Sequence, residues 1–168
     1  MLYKVYNGPM PTTASQVPVT TGTAIKSLLQ VKAGATKIIR ICEWGISFNG
    51  SAAATPGIIE LAEFDVAATV TAFAAADIHK FDEAALLAGD PTTDMIAVGT
   101  SASGYTATAE GSITAIRQFD VQQIAPTSQY VLQFPLGLRP AIQPGKFARI
   151  RVKFGAAIDA VCYMLLEV

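Results

Sequence analysis

The chain has 168 residues, 12 Lys and Arg, 13 Asp and Glu and one histidine, for a formal charge of −1. That length suits one domain burying roughly 70% of its unfolded surface, and that balance gives no global attraction to DNA or an anionic membrane. Only 15% of residues are charged, against about 25% in ordinary domains, and 28 residues are alanine, so the surface suits burial against partner proteins.

No run of 18 apolar residues is present, which argues against a membrane-spanning helix. The opening "MLYKVYNGPMPTT" has no apolar core of signal length, so no secretory leader is expected. Charge is uneven along the chain. Residues 51–115 hold nine acids and one base, whereas 1–50 hold five bases and one acid, and 116–168 six bases and three acids.

Residues 1–24, rich in Pro, Thr, Ser and Gly, read as an extended N-terminal arm. Residues 25–168 read as one β-domain. "AIKSLLQVKA" (24–33) predicts a strand. "KIIRICEWGISFNG" (37–50) alternates, with Ile38, Cys42, Trp44, Ile46 and Phe48 on one face and Ile39, Ile41, Glu43 and Ser47 on the other. Asn49-Gly50 ends it as a turn. "GIIELAEFD" (57–65) follows a Pro-Gly break. The stretch 66–90 begins strand-like, and its second half predicts a short helix from near Asp77 to Gly89.

Strand signals return at 94–102 and at 104–120, the latter hinged at Gly111. They continue at 129–138, 145–154 and 157–168, each set off by Pro or Gly turns. About eight strands with regular turns predict an all-β, antiparallel two-sheet sandwich of jelly-roll type. The helical insertion would lie in the long connection between the third and fourth strands. An immunoglobulin-like sandwich is the alternative, but Trp44 follows Cys42 too closely for its usual Cys…Trp…Cys order.

The residue inventory excludes much chemistry. His79 is the only histidine, so the multi-histidine metal site of cupin-type jelly rolls cannot be built, nor a common zinc site. Asp77, His79, Asp82 and Glu83 are a candidate set of cation ligands, but acids in a helix's first turn also serve the helix dipole, and that reading is preferred. No G-x-S-x-G, phosphate-binding loop or dinucleotide fingerprint occurs. Cys42 and Cys162 read as reduced, buried small hydrophobes. Glu60, Glu63 and Glu110 read as surface carboxylates without a flanking sugar platform. No enzyme, cofactor or metal is expected.

"GKFARIRVKFG" (145–155) is the most patterned stretch, with four of the twelve basic residues within 146–153. Period 2 puts Arg149, Arg151 and Lys153 on one face with Phe147, and Ala148, Ile150, Val152 and Phe154 on the other. The second face must be core. A neutral domain with one aromatic on the basic face does not read as a nucleic-acid binder. The stripe should pair with acids on a neighbouring strand or reach an acidic surface on another protomer.

The arm, the eight strands and the C-terminal run "QFPLGLRPAIQPGKFARIRVKFGAAIDAVCYMLLEV" resemble the jelly-roll decoration (cement) proteins of tailed-bacteriophage capsids. The likeness covers roughly residues 25–168. It implies a non-enzymatic virion protein, made in the host cytoplasm, on the outer capsid surface. It also implies a major capsid protein as partner and a homo-oligomer, a trimer favoured, with no nucleic acid and no membrane contact. Tyr3 and Tyr6 of the arm, with Arg149, Arg151 and Lys153, are the candidate partner-binding residues. A glycan- or receptor-binding module of a phage tail or head fibre is the alternative.

Overall fold

The structure, a computed structural model, describes residues 1–51, 53–81 and 95–168. It is an all-β sandwich of two antiparallel sheets. The strands are β1 (Leu2–Tyr6), β2 (Val19–Thr20), β3 (Lys26–Ala33), β4 (Ile39–Phe48), β5 (Gly57–Phe64), β6 (Thr69–Ala72) and β7 (Ile78–Lys80). They continue as β8 (Ile96–Ala97), β9 (Gly104–Ala109), β10 (Ile116–Ile124), β11 (Gln129–Gln133), β12 (Ala141–Ile142), β13 (Phe147–Lys153) and β14 (Asp159–Glu167).

One sheet runs β11-β4-β14-β1-β7, with β12 beside β4 and β2 beside β14. The other runs β10-β5-β13-β3-β9-β6, with β8 beside β3. The strands of five or more residues are divided between them: β1, β4, β11 and β14 in the first, β3, β5, β9, β10 and β13 in the second. Trp44, Leu28, Leu29, Ile59, Leu61, Ile150 and Met164 meet between the sheets and are fully buried. Each such aliphatic side chain contributes on the order of 1.5–3 kcal/mol.

Three expectations need correction. The N-terminus is not all arm, because Leu2–Tyr6 is an internal strand between β14 and β7. Its alternation drives this: Tyr3 and Val5 point into the core, while Leu2, Lys4 and Tyr6 point outward. The helix expected from Asp77 gives way to a 3₁₀ turn at Ala75–Asp77 and then β7. The expected helical residues 82–89 lie outside the described residues.

The faces of β4 also differ from the simple alternation. Glu43 is opposite Leu165 but Ile41 is opposite Leu166, so Cys42 is an extra residue in a bulge. A bulge reverses the faces beyond it. Ile39 and Ile41 therefore join Trp44 and Ile46 in the core, and Ile38 is exposed.

The hinge at Gly111 is present. It sits between β9 and β10 with φ +77°, and a Cβ there would lie 2.6 Å from the Ala67 carbonyl oxygen. Two short connections meet at this point, 65–68 from β5 to β6 and 110–115 from β9 to β10. Both pass over the outside of β13.

Candidate functional site

The basic stripe shows where sequence and structure part. Its faces are as expected: Ala148, Ile150, Val152 and Phe154 lie in the core. The other face is covered too. Phe147, Ala62 and Phe64 form a small second core under Ala67 and Ile113 of the two crossing connections. Arg149 is buried completely beneath them.

Its Nη1 donates to the Glu110 carbonyl at 3.0 Å and to the Glu110 carboxylate at 3.3 Å, and Nη2 donates to the Val66 carbonyl. The guanidinium lies 4.5 Å from the Phe64 ring centroid. Burial pushes its pKa down to about 10, against the pull of Glu110. Glu110 also accepts from the backbone N–H and hydroxyl of Ser27 at 2.5 and 2.6 Å. This network fastens a connection onto β3 and β13.

Arg151 is paired with Glu60, its register partner on β5. The cross-strand pairing expected for the stripe is thus present within the protomer. Of the five candidate partner-binding residues, Tyr3, Arg149 and Arg151 are turned inside, which removes them as surface contacts of the protomer. Arg149 and Arg151 were expected outside because nothing local to β13 announces that distant connections cover it. Lys153 is exposed at the strand's end, and Tyr6 is half-buried on the outer face of the first sheet.

That outer face carries a cluster the stripe drew attention away from. The Tyr6 ring lies 5.8 Å from Tyr163 and 6.0 Å from His79. Lys4 Nζ sits 4.2 Å over the Tyr163 ring and 5.6 Å from both Tyr6 and Phe81. The Tyr163 hydroxyl donates to Glu43 at 2.6 Å. Tyr163 also crosses Gly45, whose missing Cβ would lie 2.7 Å from the ring. A hollow of about 220 Å³ beside it is lined by Ser47, Gln129, Val131 and Val161. The L-Y-K-V-Y alternation of residues 2–6 was the available signal for this face.

The other candidates resolve locally. Asp77 accepts from the backbone of Ala74 and Met10 at 2.9 and 3.0 Å, so it caps a turn. Among the described residues no three His, Cys, Asp or Glu side chains converge on a cation position. Burial raises the pKa of both thiols, most strongly that of fully buried Cys162, so neither is a thiolate nucleophile at neutral pH. Glu60, Glu63 and Glu110 are engaged by Arg151, Arg117 and Arg149. No helix among the described residues is long and apolar enough to cross a membrane.

Comparison with protein-family models, curated proteins and solved structures returned no match. The functional reading therefore rests on this chain's own surface and on the resemblance drawn from its sequence.

Proposed function

We propose that the chain is a non-enzymatic structural protein that decorates and stabilises the outer face of a phage capsid through protein–protein contacts, as a homo-oligomer bound to the major capsid protein. The observation that carries this reading is the side of the sandwich built by β10 and β11. Each is the terminal strand of its sheet. A terminal strand offers a row of backbone donors and acceptors to a neighbouring chain.

Its side chains suit such a neighbour. Ile116, Val121 and Val131 are exposed along it, accompanied by Gln118, Gln123, Gln129 and Gln133. The two ionic groups of β10 are engaged inside the protomer, Arg117 with Glu63 and Asp120 with Trp44 and Tyr130. The two packed antiparallel sheets are compatible with the jelly roll that the resemblance implies.

Purified protein added to undecorated heads should bind saturably and raise the force at which heads rupture. Val121→Lys with Val131→Lys should abolish binding and leave the unfolding midpoint unchanged. No binding at micromolar protein would sink the proposal.

The aromatic face of Tyr6, Tyr163 and Phe81 beside Gln129 and Ser47 favours a second reading, a glycan-binding module of a tail or head fibre. Sugars stack on exposed rings and bond to flanking amides and hydroxyls. A glycan array with a Tyr6→Ala control separates the two.

A further inference from the structure

A recess lies at the other end of the same outer face. It is a groove of about 570 Å³ with Leu2, Cys42 and Leu165 among its floor and walls, and Gln133, Leu136 and Arg139 beside them. A second hollow of about 410 Å³ continues it, sharing Leu136 and Arg139 and adding Arg40, Gly137 and Glu167. The bulge in β4 turns Cys42 out of the main core and into this groove.

The lip is the turn Pro135-Leu136-Gly137-Leu138, closed by the Leu138 N–H donating to the Pro135 carbonyl at 2.9 Å. Gly137 has φ +92°, the left-handed region that glycine adopts without strain. The turn holds Leu136 and Leu138 in solvent, 83% and 72% exposed. They are the two most exposed large apolar side chains described, and both belong to this one turn.

The charge beside the lip is unbalanced. Arg139 Nη1 donates to Glu167 at 2.7 Å. Arg40 stands opposite Glu167 in the strand register. Two guanidinium-bearing residues thus stand by one carboxylate, which is bonded to Arg139, and the buried Nε–H of Arg139 has no acceptor among the described residues. The groove has leucines on its floor and lip, polar side chains between them and positive charge at one end, and is flanked by the amide of Gln133.

We propose that this groove binds an extended segment of a protein partner in which acidic and large apolar side chains alternate. The acid would meet Arg139 and Arg40, a bidentate geometry to which guanidinium is suited. The apolar side chains would cover Leu136 and Leu165. The Gln133 amide would meet the segment's backbone, a contact an acyl chain cannot make. The inference rests on the reading of this chain as an assembly protein and names the chemistry of the surface it grips.

The test uses the isolated full chain, so its outcome is separate from that of head binding. The probe is the capped peptide acetyl-Leu-Asp-Leu-Glu-Leu-amide, titrated while the ¹⁵N spectrum is recorded. Saturable shifts at Leu136, Gly137 and the Arg139 Nε–H are expected. Arg40→Gln with Arg139→Gln should weaken binding at least tenfold. Because Arg139→Gln also removes the bridge to Glu167, Leu136→Ala is the second variant. Its side chain stands in solvent, so folding is unaffected, and binding should fall several-fold.

The Asn/Gln version of the peptide should not bind. Equal binding of that neutral peptide, unchanged affinity in both variants, or no saturation at millimolar peptide would overturn the proposal. So would dodecanoate binding in the groove where the acidic peptide does not.

Discussion

Arg151 and Glu60 face each other across β13 and β5, in backbone register and joined through both Nε and Nη2 to one carboxylate oxygen. Their side chains are 10% and 7% exposed. Two charges this deep do not behave as a surface pair. Removing one partner leaves the other uncompensated, at a cost of about 3–5 kcal/mol. Arg151→Glu should therefore unfold the protomer at lower denaturant by that amount. Arg151→Glu with Glu60→Arg should recover part of it, and Arg151→Met with Glu60→Leu should come close to the wild type. A folded Arg151→Glu variant of unchanged stability that had lost only self-association would show the stripe to be an interface instead.

Gly45 and Tyr163 are register partners on β4 and β14, and the phenol ring lies where a Cβ would stand. Gly45→Ala must push the ring off the sheet and away from Glu43, which holds its hydroxyl. The expected loss is about 1–3 kcal/mol. In the Tyr163→Ala background the same substitution should cost far less, since nothing remains to displace. Urea unfolding of the four proteins gives the coupling directly.

These two pairs show what a sequence can and cannot disclose here. The division of β13 into two faces was legible, because strict alternation over 147–154 allows one pleat. Pairing of its cations with an acid on a neighbouring strand was legible as a kind, since the chain has few other uses for them. The burial of Arg149 was not, because its cover comes from 65–68 and 110–115, far away in sequence and meeting only in the fold. The reversal at Cys42 was not, since a bulge leaves no residue signature there. Tyr3 was hidden by its setting: a five-residue strand precedes eighteen residues rich in turn formers, and composition averaged over 1–24 reads as arm.

His79 gives a clean pH experiment because it is the only imidazole in the chain. Burial beside β1 and Tyr6 lowers its pKa below the ordinary 6.5, against the opposing charge of Asp77. A base with a lowered folded pKa takes up its proton first in the unfolded state. Its neutral form is favourable above pH 6.5, and stability declines as pH falls below that toward the folded value. Asp65 and Asp159, held below the usual carboxylate value of 3.8 by hydroxyl donors Thr114 and Thr20, act only in stronger acid. The imidazole resonance should titrate with a midpoint below 6.5. The urea midpoint should drop on mild acidification, and His79→Gln should reduce that drop. A midpoint at or above the ordinary value would contradict the packing of β7 on β1.

Asp120 closes the open side of the sandwich from beneath. It accepts from Trp44 Nε1 at 3.2 Å, from the Tyr130 hydroxyl at 2.8 Å and from Gln122 at 2.7 Å, linking β10 to β4 and β11 across the two sheets. Burial first, and then this carboxylate, raise the Tyr130 phenol to about 12. Asp120→Ala would leave the Trp44 and Tyr130 donors without their acceptor, at about 1–3 kcal/mol. Asp120→Asn keeps an acceptor and should cost less. It should also bring the Tyr130 titration down only part of the way toward 10, because desolvation persists. Since Trp44 is the only tryptophan and is fully buried, its emission reports the edge directly. A red shift in Asp120→Ala that is absent in Asp120→Asn would show that this hydrogen bond holds β10 and β11 together. Identical emission and stability in both variants would mean that the edge is held by packing of Phe119 and Leu132 alone.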